Sequence, residues 1–367
     1  MKLVFTKSNL LSAINIVLKA VPGKTTMPIL ECILIDATND GITFTANDTE
    51  LGIETKVTGD VIEKGMIAID AKFFSEIIRK LPDSEITITS DSMYNVEINC
   101  EKSKFHIQGK SGEDFSFIPN IERDKVIYLS QFTLRDIIKQ TIFCTADNES
   151  NKLMTGELME VKNNKLRLVA LDGHRIAIRK VELKESFDNV RVVIPGKTLS
   201  EISKILTGGV EDEVKIFFTN NHVLFEFDQT IVVSRLIEGE YFKIDQMLSN
   251  DYATKVSVNK SEFLNCIDRA SLLIREGDKK PIIVGINDGV MELKIKSMAG
   301  SMNESLFVEK EGKDILIGFN PKFFMDALRA IDDETITFYT VNPKAPCFIR
   351  NEEESYIYLI LPVNFVN

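Results

Sequence analysis

Histidine is scarce, cysteine is scattered, and no long apolar run is present. Of the three histidines, His174 stands beside Asp172, while His106 and His222 lie in strand patterns without carboxylate or cysteine clusters, so no metal site is supported. The five cysteines (Cys32, Cys100, Cys144, Cys266, Cys347) are odd in number, far apart and without a C-x-x-C pair, which points to buried or idle thiols rather than disulfides or zinc. No apolar stretch is long enough to span a membrane. The opening "MKLVFTKSNL" lacks the apolar core and cleavage site of a signal peptide, so a cytoplasmic location is expected. Glycine motifs fail as well. "GKT" occurs at 23–25 and 196–198, but Leu18 and Arg191 stand where a phosphate-binding loop needs its first glycine. No serine-centred nucleophile elbow or dinucleotide-binding glycine motif is found. Neither a catalytic residue nor a cofactor is implied. Positive charge is short too: the net charge is −11, so the molecule as a whole repels nucleic acid.

What is present is repetition. "IAIDAKFFSEIIRKL" at 67–81 and "IGFNPKFFMDALRAI" at 317–331 are close copies, and "VVIPGKTLSEISKIL" at 192–206 is a looser third. Lys72, Lys197 and Lys322 fall 125 residues apart. Three further segments, from 5, 129 and 258, each follow a short strand and place Ser8, Ser130 or Asn259 near a helix start. Alternating strand pairs follow each segment and each lysine helix. One unit of strands, helix, strands, helix, strands thus occurs three times. The expected domains are 1–124, 125–250 and 251–367, each of a size that can hold one core.

In the lysine helix, Phe73, Phe74, Ile77, Ile78 and Leu81 read as one apolar stripe, matched by Phe323, Phe324, Ala327, Leu328 and Ile331. The opposite face carries a basic, acidic, basic order three times: Lys72, Glu76, Arg79; Lys197, Glu201, Lys204; Lys322, Asp326, Arg329. Six helical windows, at 7–20, 72–80, 130–144, 197–206, 260–275 and 322–331, total +8, which leaves −19 for the rest of the chain. Charge segregated in this way suits loose, sequence-independent contact with phosphates along one surface.

The threefold module, with "MPIL" at 27–30, "LDGHRIAI" at 171–178, "GFNPKFF" at 318–324 and "LILPV" at 359–363, resembles the bacterial DNA polymerase III beta subunit family, the replication sliding clamps, over essentially the whole chain. The resemblance implies an α+β fold of three repeated clamp domains, each with two helices on antiparallel sheets. They would form half of a six-domain ring that two chains close head to tail around double-stranded DNA. It implies no enzyme activity and no cofactor. The implied partners are the replicative polymerase, the clamp loader and repair proteins, each docking through a short peptide.

Carried over residue by residue, the resemblance implies DNA contacts at Lys24, Lys72, Asn148, Lys152, Lys197 and Lys322. It implies a peptide pocket of Met154, Leu171, Gly173, His174, Arg175 and Ile176, with Phe242, Gln246, Met247 and Leu248 nearby. Asn320, Phe323, Pro346, Leu359, Ile360, Leu361, Pro362 and Val363 complete it. Phe105 and Ile107 would meet Leu272 and Leu273 of a second copy. The chain departs from the family where proline and arginine are common, carrying Phe242 and Gln246, and where arginine is common near the end, carrying Asn364, with two more residues after Phe365. Two other readings stay open on the residues alone. One is a three-domain scaffold that binds only proteins. The other is a hydrolase using Asp172 and His174, although Asp-Gly between alternating strands is first a hairpin turn.

Overall fold

The computed structural model describes residues 1–39, 41–147, 150–274 and 280–365. Asn148, Arg275 and the two residues after Phe365 therefore lie outside the described residues. Among the described residues no helix is long and apolar enough to cross a membrane. The six helices are α1 (Lys7–Val17), α2 (Ala71–Lys80), α3 (Gln131–Lys139), α4 (Gly196–Ile205), α5 (Lys260–Ser271) and α6 (Pro321–Ala330).

Side-chain caps set the helix starts. Asn259 accepts from the Glu262 amide at 3.0 Å, and Ser130 Oγ accepts from the Thr133 amide at 3.1 Å. The first copy differs from expectation: Thr6 Oγ1, not Ser8, accepts from the Asn9 amide at 3.3 Å. Ser8 lies inside α1, because a hydroxyl caps only from the residue before the first helical turn.

The chain forms two compact units, Met1–Leu134 with Lys204–Leu236, and Arg135–Ser203 with Ile237–Asn367. They cut across the repeats because the central repeat shares its strands between them. In unit one a nine-stranded antiparallel sheet joins the hairpin Ile42–Asn47/Leu51–Val57 to Thr230–Arg235. A five-stranded sheet of the same unit ends at Ser103–Gln108. Phe5, Phe44 and Phe74 are fully or almost fully buried and meet ring to ring, joining sheets and α2 into one core. In unit two a seven-stranded sheet joins the hairpin Gly156–Leu171/Arg175–Pro195 to Tyr356–Ile360, and a four-stranded sheet ends at Gly300–Phe307. Phe263, Phe319, Phe324 and Phe338 fill that core.

The apolar stripe of the lysine helix is narrower than expected. In α2 it consists of Ala71, Phe74 and Ile78, with Leu81 just beyond, whereas Phe73 is 64 % exposed. Neighbouring residues on a helix point about 100° apart, and in α2 the step that turns Phe74 into the core leaves Phe73 turned toward solvent. Charge segregation persists but weakens. The six helices as folded carry +6 rather than +8, because Lys19 lies in a short 3-10 turn past α1 and Arg275 is outside the described residues.

Candidate partner groove and charged faces

In unit two, strand Tyr356–Ile360 alternates its side chains between two layers. Ile357 and Leu359 join Leu158, Val169, Leu171, Ile176, Ile178, Tyr241 and Ile244 in one apolar cluster, against which Met154, Phe242, Leu248 and Leu361 pack half-exposed. Seven of the expected pocket residues therefore share one apolar surface: Met154, Leu171, Ile176, Phe242, Leu248, Leu359 and Leu361. Met247 lies beside Leu248 in the chain and is exposed. Ile360 does not belong with them. Period-two alternation sends it, with Tyr356 and Tyr358, into the opposite core alongside Phe324 and Phe338.

Polar contacts hold the surface in place. The Tyr241 hydroxyl donates to the Val169 carbonyl at 3.3 Å, and burial raises its pKa. The Leu361 amide donates to the His174 carbonyl at 2.9 Å and the Val363 amide to the Gly318 carbonyl at 2.8 Å, so the terminal segment with Pro362 is pinned along the groove. Asn320 caps α6, its Oδ1 accepting from the Lys322 amide at 3.0 Å. Pro346 is half-buried before strand Cys347–Arg350, and Gln246 ends a 3-10 turn, exposed.

A second feature centres on the hairpin turn. Gly173 has φ +87°, which an L side chain adopts only with strain, and Asp172 Oδ1 accepts from the amides of His174 and Arg175 at 2.9 and 3.1 Å. Arg175 is buried. Its Nε donates to Asp172 at 2.9 Å, its Nη1 to Asp326 at 2.7 Å and its Nη2 to the Phe143 carbonyl at 2.6 Å. The guanidinium lies over the Phe323 ring at 4.5 Å, and His174 stacks on the same ring at 6.1 Å. Together with Lys322 and Asp147 these residues line a cavity of about 600 Å³. Asp326 is thus a pocket ion-pair partner instead of part of a solvated charge stripe. Phe143 and Asp326 went unassigned as pocket residues because nothing local in sequence joins them to Arg175.

This geometry removes the acid–base reading. Asp172 spends its oxygens on the turn amides and on Arg175, while the His174 ring faces Phe323. Among the described residues no group of histidine, cysteine and carboxylate side chains could hold a metal.

Lys24 and Lys72 of unit one and Lys152, Lys197 and Lys322 of unit two are exposed. Phe105, 38 % exposed, and the half-buried Ile107 lie on edge strand Ser103–Gln108. Leu272 is 81 % exposed just past α5, and Leu273 packs partly on the unit-two core.

Three family models of the DNA polymerase III beta subunit match consecutive parts of the chain: the N-terminal domain over residues 1–119, the central domain over 128–243 and the C-terminal domain over 245–364. The chain belongs to this family. It has three clamp domains of mixed helix and antiparallel sheet. A beta sliding clamp of Staphylococcus epidermidis is 34% identical over 374 residues, with 99% of each chain covered, and one of Staphylococcus aureus is 33% identical over the same span. Among solved structures, a DNA polymerase III beta subunit of Eubacterium rectale described as putative superposes with a TM-score of 0.96 at 63% identity, covering all of both chains. The DNA polymerase sliding clamp of Bacillus subtilis does so with 0.95 at 34%, again over both whole chains.

Proposed function

We propose that two copies of this chain close into a ring around duplex DNA and act as a non-catalytic processivity factor in the cytoplasm. The ring tethers the replicative polymerase and other replication and repair proteins, and a clamp loader places it on DNA. The observation that carries this reading is the family match along all three repeats of a chain whose six helices are net basic while the whole is acidic. Charge divided in this way favours loose phosphate contact and leaves retention to topology. The domains are 1–124, 125–250 and 251–367. DNA contacts fall to Lys24, Lys72, Asn148, Lys152, Lys197 and Lys322. The apolar surface around Leu171, Ile176 and Leu359, flanked by the Arg175–Phe323 cavity, receives the partner peptides. An adaptable floor with Met154 and Met247 at its edges suits several sequences.

The test uses nicked circular DNA, a clamp loader and ATP. The protein should stay on the circle through gel filtration and leave once the DNA is cut to a linear form. Retention that survives linearisation would mean ordinary surface binding, and no retention at all would favour the protein-only scaffold.

A further inference from the structure

The first and second repeats carry the same hairpin, and the segment that follows each repeat is packed on it in two different ways. In unit one Asp48 Oδ1 accepts from the Leu51 amide at 2.7 Å, as Asp172 Oδ1 accepts from the Arg175 amide at 3.1 Å in unit two. Counted from these turns, Thr43 matches Arg167, Asn47 matches Leu171 and Gly52 matches Ile176. The cross-strand pairs agree, with Gly52 opposite Val233 and Ile176 opposite Leu359.

In unit one the connecting segment lies down on the sheet. The Asn47 side-chain amide donates to the Ser116 carbonyl at 3.1 Å, and Ile118 Cγ1 stands 2.7 Å from where a Cβ at Gly52 would be. Only glycine leaves room for that approach. In unit two both places hold apolar side chains, Leu171 and Ile176, which belong to the floor of the groove. The segment Tyr241–Asn250 therefore rides one side-chain layer higher and needs other fastenings.

Three are present. Tyr241 is tied through its hydroxyl to the Val169 carbonyl at 3.3 Å. At the far end Arg350, buried and lying over the Tyr339 ring at 4.6 Å, donates to the Ser249 carbonyl at 3.4 Å and to the Asn250 side chain. Between them Arg167 grips Asp245, Nη1 donating to Oδ1 at 2.6 Å and Nη2 to Oδ2 at 3.3 Å. Arg167 Nε lies 2.6 Å from Oε2 of the buried Glu160, whose Oε1 accepts from Arg191 Nη1 at 2.7 Å. The bridge is thus the outer end of a charge chain rooted in the sheet. Arg167 also lines a polar cavity of about 810 Å³ with Glu160, Lys165, Lys180 and Glu353, so its place is set by charge more than by packing. In unit one the matching Thr43 has no charge to offer.

We propose that Arg167 and Asp245 are positioning residues of the partner groove: their bridge fixes the turn Ile244–Gln246, and so sets how Phe242, Gln246, Met247 and Leu248 stand above the apolar floor. The inference rests on the peptide groove proposed above and adds what holds its wall, which the family match does not supply. The hold at Asp245 reaches its neighbours because the turn is stiff. The Gln246 amide donates to the Lys243 carbonyl at 3.1 Å and the Met247 amide to the Ile244 carbonyl at 2.8 Å, while the Ile244 side chain is buried in the floor.

The test is fluorescence anisotropy of an uncharged peptide with glutamine followed by aliphatic and aromatic residues, titrated with the full-length chain. Asp245→Ala should weaken binding by about three- to fivefold, the range that a largely exposed ion pair can supply. Asp245→Glu, which keeps the bridge, should recover the affinity. Arg167→Ala should weaken binding as well, and adding Asp245→Ala to it should cost nothing further, because both changes remove one contact. If circular dichroism shows Arg167→Ala to be unfolded, Arg167→Lys takes its place, since one ammonium cannot hold Glu160 and Asp245 together as the planar fork does. Unchanged affinity in Asp245→Ala, no recovery in Asp245→Glu, or a double variant that loses the product of the two single losses overturns the positioning role and leaves the groove standing. Failure of the unsubstituted chain to bind the peptide overturns both.

Discussion

Arg175 lies over Phe323, its guanidinium carbon 4.5 Å from the ring centroid, while the same guanidinium bonds Asp326 one helical turn further along α6. A residue that the resemblance places in the peptide pocket is thus the rivet between the second-repeat hairpin and the third-repeat helix. Removing it strands Asp172 and Asp326, both largely buried, without their counter-charge. Arg175→Ala should therefore cost about 3–5 kcal/mol of unfolding free energy. Arg175→Lys should recover only part, since one ammonium cannot serve three acceptors in a planar fork. Urea denaturation of the two variants checks this, and a loss no larger than that of an exposed lysine would show that the cluster does not stabilise the fold.

Glu157 supplies a pH dependence. Its side chain is fully buried, Oε2 accepts from the Thr141 hydroxyl at 2.7 Å, and Oε1 has no hydrogen-bond partner. Burial pushes its pKa up to about 8, against the ordinary carboxyl value near about 4.3 in the unfolded chain. The folded state thus holds a proton that the unfolded state has released between those values. Stability from this group is full below the unfolded pKa, falls as pH rises toward 8 and levels off above it. Cys144 and Tyr241, also buried, carry raised pKa values and stay neutral through this window. Glu157→Gln removes the titration, so unfolding midpoints between pH 5 and 9 should decline less steeply in the variant. Parallel declines would mean that the carboxyl is not protonated when folded.

The exposed lysines make a quantitative case. If Lys24, Lys152 and Lys197 each meet a phosphate, replacing all three with alanine should flatten the logarithmic salt dependence of DNA residence by about one unit per contact, leaving native mass and peptide binding unchanged. An unaltered slope would identify them as merely solvated.

The threefold repeat and the order of elements were legible because each depends on local patterns: strand alternation, helical stripes and a basic residue every 125 positions. What escaped was set by geometry that a linear pattern underdetermines. Phe73 and Phe323 are identical in text, yet Phe73 is 64 % exposed while Phe323 is covered by Arg175 and His174, which come from another repeat. Ile360 sits in an apolar run in which both strand faces are buried, so the run itself says nothing of which face is which. Asp326 and Phe143 become partners of Arg175 only through contacts 151 and 32 residues away.

The departures from the family at Phe242, Gln246 and Asn364 should change partner selectivity more than binding strength. Phe242 packs edge-on against Tyr241 at 5.6 Å and extends the apolar floor, while Gln246 and Asn364 are exposed and uncharged. Two arginines of unit two are already committed, Arg175 to Asp172 and Asp326, and Arg167 to Asp245 and Glu160. Rim cations mainly steer acidic partners and make binding salt-sensitive, whereas the apolar floor supplies most of the affinity. A peptide with glutamine followed by aliphatic and aromatic residues should therefore bind with weak salt dependence, and acidic flanking residues should add little. Fluorescence anisotropy of matched neutral and acidic peptides across a salt series decides the matter. A clear preference for the acidic peptide that fades as salt rises would assign the steering to exposed lysines such as Lys243 and Lys322, and would overturn this account of the substitutions.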